Sequence, residues 1–262
     1  MIAAFARAGF IFGEKKYIEA AERAAGFISS QLTDGNGRLM ARWRQGEAAI
    51  DGKLDDYAFY VWGLLELYSA CFDIRYLSEA LRLAGLMVDL FWDGENGGFY
   101  PYSSDGEQLI TRNKESYDGA LPSGNSVAGL VLSRLARLTG ESRWAGLNKR
   151  QLSYLAGAAK DHPSGHSLAL TAFQEELWPS CELVAASRKL PKELINLLRE
   201  EPHMGLTVLV KTPENEKTLS RLAPFTADYP IPAEGQMYYL CRGKACESPV
   251  DSIEKLKRLL RQ

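Results

Sequence analysis

Three aspartates stand where polar loops lead into apolar segments, and they are the best candidates for chemistry. Asp55 and Asp56 open the run LDDYAF, and Asp118 comes shortly before the run PSGNS. Such a carboxylate can cap a helix by accepting backbone N–H bonds, or act as acid or base on a sugar oxygen at the mouth of a cleft. Because adjacent residues point in different directions, an acid/base pair would join Asp55 or Asp56 to Asp118 or Glu115. We predict Asp55, Asp56 and Asp118 as catalytic residues.

Aromatic and polar side chains near these aspartates suit a sugar-like ligand. Aromatic rings stack on the apolar faces of sugars, and amides, hydroxyls and charges bind the hydroxyl groups. The predicted substrate-binding residues are Tyr57, Tyr100, Tyr102, Arg112, Ser123, Asn125 and Glu175. Structural roles remain open for them, because rings at helix ends often join the core and the PSGNS run can be a turn with a helix cap.

The histidines and cysteines form no metal or redox motif. No Cys/His spacing resembles a zinc site, so we expect neither a metal nor another cofactor. His162 and His166 flank a Pro-Ser-Gly run and are a candidate acid/base pair. Cys241 and Cys246 have four residues between them, which is not the spacing of a thioredoxin active site. With no export signal, we expect reduced thiols and a cytoplasmic protein.

Helical periodicity predicts the elements that position these residues. Apolar or small residues recur at helical spacing over 17–32, 54–72, 76–91, 119–138, 144–159 and 164–177. The apolar stretch 1–12 contains Arg7 and lacks a basic leader, so we predict a core helix there.

The helical part also repeats. Asp34 and Asp93 are 59 residues apart and follow corresponding helices, and Asp118 aligns in outline with Asp55. A unit of two helices with a long loop cannot bury its own apolar face and must stack on its neighbours. The long loops favour an α/α toroid over a superhelical solenoid of short repeats.

The pattern changes after residue 180. The segments 206–210 and 237–241 are strand candidates rich in β-branched and aromatic residues, and 191–198 and 252–260 are predicted helices. The predicted fold is therefore mainly α: a partial α/α toroid over residues 1–180, with a small α/β appendix over residues 181–262.

Charge and hydropathy exclude two classes of partner. The net charge is −2, with 31 basic and 33 acidic side chains and no basic stripe, so nucleic acid is not expected as a partner. No segment reaches the roughly 18–20 consecutive apolar residues that a membrane helix needs.

The motifs LDDYAF, GGFY and PSGNS, with YLC and CESP near the C-terminus, together resemble one family. This is the YyaL-type family, which includes the spermatogenesis-associated thioredoxin-like proteins, and the resemblance covers nearly the whole chain. It implies an α/α toroid similar to six-hairpin glycosidases and sugar 2-epimerases. It also implies that the chain is the C-terminal part of the toroid region, without the family's N-terminal thioredoxin-like domain.

Two functions remain open at this point. The first is a toroid that handles a sugar or similar small molecule, with glycosidase- or epimerase-like chemistry. The second is a truncated, non-catalytic binding or scaffold domain that serves a thioredoxin-like domain. Carboxyl groups about 5–9.5 Å apart across a cleft would favour the first, and carboxylates used up by capping the second. Because an unclosed toroid exposes apolar flanks, we also expect a homodimer through the truncated barrel edge.

Overall fold

Consecutive pairs of helices occupy most of the N-terminal part of the chain in this computed structural model, which describes residues 1–106, 111–201, 203, 205–243 and 245–261. Contacts divide the chain into two units, the first formed by residues 1–133 and 143–173 and the second by residues 134–142 and 174–262. The first unit contains α1 (Ile2–Phe12), α2 (Lys15–Gln31), α3 (Leu54–Cys71), α4 (Ile74–Phe91) and most of α5 (Gly124–Thr139), α6 (Ser142–Ala159) and α7 (Ser167–Leu177).

Residues with left-handed backbone conformation end three of these helices. Gly13 follows α1 with φ 69°, Phe72 follows α3 with φ 56°, and Gly140 follows α5 with φ 69°. This conformation terminates a helix and lets the chain turn back. In each case the next helix begins three residues after the previous one ends. The pairs α1–α2, α3–α4 and α5–α6 are therefore helical hairpins.

Helix α3 is the core helix of the first unit. The six consecutive residues 63–68 are all buried. Successive residues of a helix point about 100° apart, so a run of this length faces every direction. Helices α1, α2 and α4 contact α3. The candidate aspartates lie at the start of α3. The packing of the rest of α3 thus fixes their position.

A β-hairpin that the sequence did not predict lies between α2 and α3. Strands β1 (Met40–Arg44) and β2 (Glu47–Asp51) pair in an antiparallel register. Gln45 and Gly46 form the turn with φ values of 53° and 84°. Positive φ at both central residues is the geometry of a tight two-residue hairpin turn, which favours glycine at the second position.

The second unit is a mixed α/β layer structure. Its elements are β3 (Cys181–Ser187), α8 (Lys192–Glu200), β4 (Leu206–Lys211), α9 (Glu216–Leu222), β5 (Gln236–Arg242), β6 (Ala245–Cys246) and α10 (Ile253–Leu260). The strand order is β4–β3–β5–β6, with β3 and β4 parallel and both other pairs antiparallel.

Helices and a turn pack within this unit. Glu201 after α8 pairs with Lys257 and Arg261 at α10. The ring of Tyr229 stacks on Tyr239 of β5 at 4.4 Å. The elements follow one another in the order βαβαββα.

The structure confirms the predicted fold class, helical hairpins of the toroid type followed by α/β structure. It corrects two details. Helix α5 begins at Gly124 rather than near residue 119, because the preceding residues form a turn that caps it. Cys241 and Cys246, expected as free thiols, are paired as a disulfide between β5 and β6. Within the described residues, no helix is both long and apolar enough to span a membrane.

Lys211 is a buried cation that we expect to be necessary for the second unit. Its Nζ donates to the carbonyl oxygens of Thr226 and Tyr229, both at 2.9 Å, and lies 3.3 Å from Glu216. Lys211→Met keeps most of the packing but leaves these carbonyls without their donor, so the free energy of unfolding should fall by about 1–3 kcal/mol in urea denaturation. The control Lys217→Met, at an exposed position of α9, should change little. Equal stability of the two variants would contradict this role.

Candidate functional site

The N-terminal ends of α3, α5 and α7 meet in the first unit. The Asp55 carboxylate, in the first turn of α3, accepts the backbone N–H of Gly124 at the start of α5. Asp118 connects the start of α5 to the start of α7. We call these three helix ends, with the loops 97–102 and 112–123, the helix-start face. Unsatisfied N–H groups and the helix dipoles make such a face favourable for negative or oxygen-rich groups.

Asp118 is buried, and backbone groups occupy both of its carboxylate oxygens. Oδ1 accepts the N–H of Ser123 at 2.9 Å. Oδ2 accepts the N–H groups of Leu168 at 2.8 Å and Ala169 at 3.2 Å, in the first turn of α7. A buried carboxylate with three such donors is satisfied, so the geometry gives Asp118 a positioning function.

Asp56 also makes a backbone contact. Its Oδ2 accepts the N–H of Lys53 at 2.8 Å, which is the carboxylate half of a capping box at the start of α3. Asp55 differs, because its side chain is exposed at the surface. The pKa of Asp55 is nevertheless raised, first by partial desolvation and then by the negative charges of Asp56 and Glu115. Asp55 is thus an accessible carboxyl group that holds its proton more tightly than usual.

Gly124 of the PSGNS run permits the close approach of α5 to α3. A Cβ at this position would overlap Oδ1 of Asp55 and lie 2.9 Å from Cγ of Leu54. Any side chain here would push Asp55 away from the N–H that it accepts. The glycine is therefore explained by the short distance between the two helix starts.

Asn125 is fully buried and uses its amide to fix a loop. Its Oδ1 accepts the N–H of Phe99 at 2.8 Å, and its Nδ2 donates to the carbonyl oxygens of Phe99 at 2.9 Å and Glu115 at 2.8 Å. Gln151 donates to the same Oδ1 at 3.1 Å. Asn125 thus joins both loops of the helix-start face to α5.

Tyr57 makes the equivalent contact in the preceding repeat. Its hydroxyl accepts the N–H of Leu39 at 2.9 Å, and its ring is buried against Phe91. Leu39 and Phe99 both lie in an isolated β-bridge after their helix. The predicted repeat therefore exists in these loops, and Tyr57 lies in the core.

The repeat does not extend to the aspartates. Asp34 and Asp93 both accept backbone N–H groups two or more residues ahead in the chain, as the repeat predicts. Asp55, however, lies inside the first turn of α3, whereas Asp118 lies six residues before α5 begins. The aligned positions of Asp55 and Asp118 are therefore not structurally equivalent, since the loop before α5 is longer.

A buried ion pair shapes the loop before α5. Lys114 donates to Oδ2 of Asp93 and to the carbonyl oxygen of Gly97, both at 2.7 Å. The Lys114 ammonium and the N–H groups of Glu95 and Asn96 hold the pKa of Asp93 far below its usual range. The sequence repeat indicates Asp93 but gives no sign of this ion pair.

Partly exposed rings and cations lie together at the helix-start face. The guanidinium of Arg112 lies 4.2 Å from the ring centre of Tyr100 and donates to the carbonyl oxygen of Tyr102 at 2.9 Å. The ammonium of Lys53, which the sequence analysis did not single out, lies 4.9 Å from the ring centre of Tyr102. Its position directly before the LDDYAF run could have indicated that Lys53 belongs to the site. Three predicted ligand residues therefore lie together here.

Two other predicted contacts are placed differently. Ser123 is buried and caps α5, because its Oγ accepts the N–H of Ser126 at 3.1 Å. Its hydroxyl also donates to Oγ of Ser126 at 3.0 Å. Glu175 belongs to the second unit, where its two carboxylate oxygens accept from Arg134 at 3.0 and 3.3 Å.

The ring of His166, one of the two candidate histidines, contacts the backbone of the other. His166 is buried and lies between a carbonyl and a hydroxyl: Nδ1 is 3.0 Å from the carbonyl oxygen of His162, and Nε2 is 3.3 Å from Oγ of Ser116. Since a carbonyl only accepts, Nδ1 of His166 is the donor in the first of these contacts. In the described part of the chain, no cluster of three or more His, Cys, Asp and Glu side chains could hold a metal ion.

The sequence is similar to part of several longer proteins. Spermatogenesis-associated protein 20 from rat is 30% identical over 275 residues, covering 100% of this chain and 35% of the relative. The human protein is 29% identical over 273 residues, with 99% and 35% coverage. The uncharacterized protein B0495.5 of Caenorhabditis elegans is 30% identical over 268 residues, with 94% and 34% coverage. The resemblance inferred from the motifs is confirmed, and the chain spans about a third of these relatives.

Solved structures give weaker similarities. Cellobiose 2-epimerase from Bacillus thermoamylovorans has a TM-score of 0.48 at 17% identity, covering 58% of this chain and 41% of that one. Unsaturated glucuronyl hydrolase from Bacillus sp. GL1 has a TM-score of 0.46 at 18% identity, covering 59% and 44%. Similarities at this level carry no argument about function. No family model matches the sequence.

The bonds of Asp118 lead to a stability prediction. In Asp118→Asn the amide keeps one acceptor oxygen and turns an NH₂ group toward backbone donors, so the free energy of unfolding should fall by about 1–3 kcal/mol. Asp56→Asn is the matched control, because Asn still accepts the N–H of Lys53 and caps a helix almost as well. Thermal and urea unfolding would compare the two. An Asp118→Asn protein as stable as Asp56→Asn would show that the three bonds do not hold the helix-start face.

The raised pKa of Asp55 leads to a pH prediction. The folded protein binds this proton more tightly than the unfolded chain, so stability falls as pH rises from about 3.9, the ordinary value, through the folded pKa. The charged form of Asp55 therefore lowers the free energy of unfolding at neutral pH. We expect Asp55→Asn to melt above the wild type at pH 7, with a difference that disappears near pH 3. A variant that melts below the wild type at pH 7 would refute this reading.

Proposed function

We propose that this chain, which is related over its whole length to part of spermatogenesis-associated protein 20, binds a sugar-like small molecule at the helix-start face. Asp55 is the carboxyl group that contacts this molecule. The observation that carries the proposal is the different use of three aspartates. Asp118 is buried among three backbone N–H groups and Asp56 accepts the N–H of Lys53, whereas Asp55, which accepts the N–H of Gly124, is exposed and has a raised pKa. An accessible group with a perturbed pKa beside helix N-termini is typical of a functional site.

The surroundings of Asp55 suit a molecule with many hydroxyl groups. The exposed ring of Tyr102 offers an apolar face, and Lys53 and Arg112 supply donors beside it. The N-terminal helix ends favour oxygen atoms with partial or full negative charge. A sugar or sugar phosphate combines the CH-rich faces and the oxygen atoms that these groups bind.

Proton transfer is the chemistry that this arrangement supports. Asp55 keeps its proton to a higher pH than an ordinary aspartate and can donate it to a ligand oxygen. Glu115 is exposed on the neighbouring loop, close enough for its charge to raise the pKa of Asp55, and can accept a proton. The two carboxyl groups would then act as acid and base, as in glycosidase- or epimerase-like reactions.

A second candidate function is binding without turnover. It is favoured by the structural use of Asp56, Asp118 and Asn125, which leaves few of the predicted catalytic and binding groups open to a ligand. In this case the chain holds a small molecule for the longer protein. Ligand binding with no product formed would support this candidate, whereas product formation that depends on both Asp55 and Glu115 would support the enzymatic one.

Thermal shift measurements with glucose, mannose and glucose 6-phosphate test the proposed site. A ligand of the folded state raises its stability, by about 2.7 kcal/mol at a concentration of 100 Kd. We expect at least one of these sugars to raise the Tm of the wild type, and Asp55→Asn to abolish the rise. The control Asp251→Asn makes the same change at an exposed position of the second unit and should keep it. A rise that persists in Asp55→Asn, or no rise with any of the three sugars, would contradict the proposal.

A further inference from the structure

The disulfide of the second unit lies on an accessible hairpin. Cys241 of β5 and Cys246 of β6 are directly opposite each other, with Cα atoms 4.0 Å apart. Cys246 is exposed and Cys241 is half-buried. Thiolates attack a disulfide at the sulfur that they can reach. The sulfur of Cys246 is therefore the accessible point of attack, and Cys241 is the leaving group.

A tyrosine hydroxyl lies beside both sulfurs. The hydroxyl of Tyr229 is 3.4 Å from Sγ of Cys241 and 3.5 Å from Sγ of Cys246. Because the sulfurs of a disulfide carry no hydrogen, the hydroxyl is the donor. The stacking of Tyr229 on Tyr239, with 12° between the rings, fixes its position. Burial raises the pKa of Tyr229, so this hydroxyl keeps its proton at neutral pH.

We propose that Cys241 and Cys246 form a thiol–disulfide exchange centre that reacts with dithiols, and that Tyr229 assists the departure of Cys241. One thiolate of the dithiol attacks Sγ of Cys246, the bond between the two cysteine sulfurs breaks, and Cys241 leaves as a thiolate that accepts the Tyr229 hydrogen bond. In the mixed disulfide, the second thiolate of the dithiol then attacks the first sulfur of the same dithiol and releases Cys246 as a thiolate. The dithiol is oxidised to a disulfide, and its two protons end on Cys241 and Cys246.

The hairpin can exist in both redox states because other bonds hold it. Beyond the disulfide, the N–H of Glu247 donates to the carbonyl oxygen of Leu240 at 2.8 Å. Further along, Tyr238 and Val250 exchange two backbone bonds of 2.7 and 3.0 Å. Breaking the disulfide leaves this pairing in place, so exchange does not require the second unit to unfold.

This centre lies on strands rather than at the N-terminus of a helix, where the pKa of a cysteine thiol is commonly lowered. Here the residues between β3 and α8 contain no cysteine, and the disulfide lies at the opposite end of β3, where Cys241 pairs with Glu182. Burial raises the pKa of Cys71 to about 11 and also raises that of Cys181, so both are weak competitors for the exchange.

The test uses the full chain under native conditions. The protein is first oxidised with oxidised glutathione, then treated with dithiothreitol, and alkylated with iodoacetamide at intervals. Mass spectrometry then identifies the modified cysteines. We expect Cys241 and Cys246 to become modified together and faster than Cys71 and Cys181. Absence of a disulfide between Cys241 and Cys246 after oxidation, or reduction only after urea is added, would overturn the proposal.

Two matched variants test the role of the tyrosine. Tyr229→Phe keeps the stacked ring and removes the donor, so the rate of reduction should fall about fivefold, the equivalent of one hydrogen bond. Tyr239→Phe removes the hydroxyl of the other stacked ring, which donates to the carbonyl oxygen of Pro230, and should leave the rate unchanged. Equal reduction rates for both variants and the wild type would show that Tyr229 plays no part in the exchange.

Discussion

The carboxylate of Asp118 is the interaction on which the rest of the candidate site depends. A helix begins with N–H groups that have no partner within it, and buried ones must find acceptors. Asp118 accepts from the residue before α5 and from two residues in the first turn of α7. It thereby sets the position of α5, and so the position of Gly124 against Asp55 and of Asn125 against the loop at Phe99.

The surroundings of each aspartate decide whether its pKa is lowered or raised. Asp93 accepts an ammonium and two N–H groups, which lowers its pKa. Asp55 receives the N–H of Gly124 but lies close to two other carboxylates in a partly desolvated place, which raises its pKa. The balance between stabilising donors and burial thus decides which carboxylate has a lowered pKa and which a raised one. The order of aspartates in the sequence does not contain this information.

The long helices were predictable from the sequence because apolar residues recur at helical spacing over several turns. Helices α2, α3, α4 and α6 lie within a few residues of their predicted bounds, since apolar periodicity defines a helix over several turns. The β1–β2 hairpin is short and mostly exposed, so it carries no such pattern. Aspartates 55 and 56 were found by type, but the features that distinguish Asp55 depend on Glu115 and Gly124, which are distant in the sequence. The pairing of Cys241 and Cys246 depends on the register of β6, which two residues define.

The most direct test of the account is the titration of individual aspartate carboxyl groups by ¹³C NMR, with and without a sugar ligand. The account predicts that Asp55 titrates above the ordinary aspartate value of about 3.9 and that adding glucose 6-phosphate moves its carboxyl resonance. It also predicts that the resonance of Asp118, enclosed by backbone N–H groups, stays in place when the sugar is added. An Asp55 that titrates at or below the ordinary value and does not respond to the sugar would contradict the account.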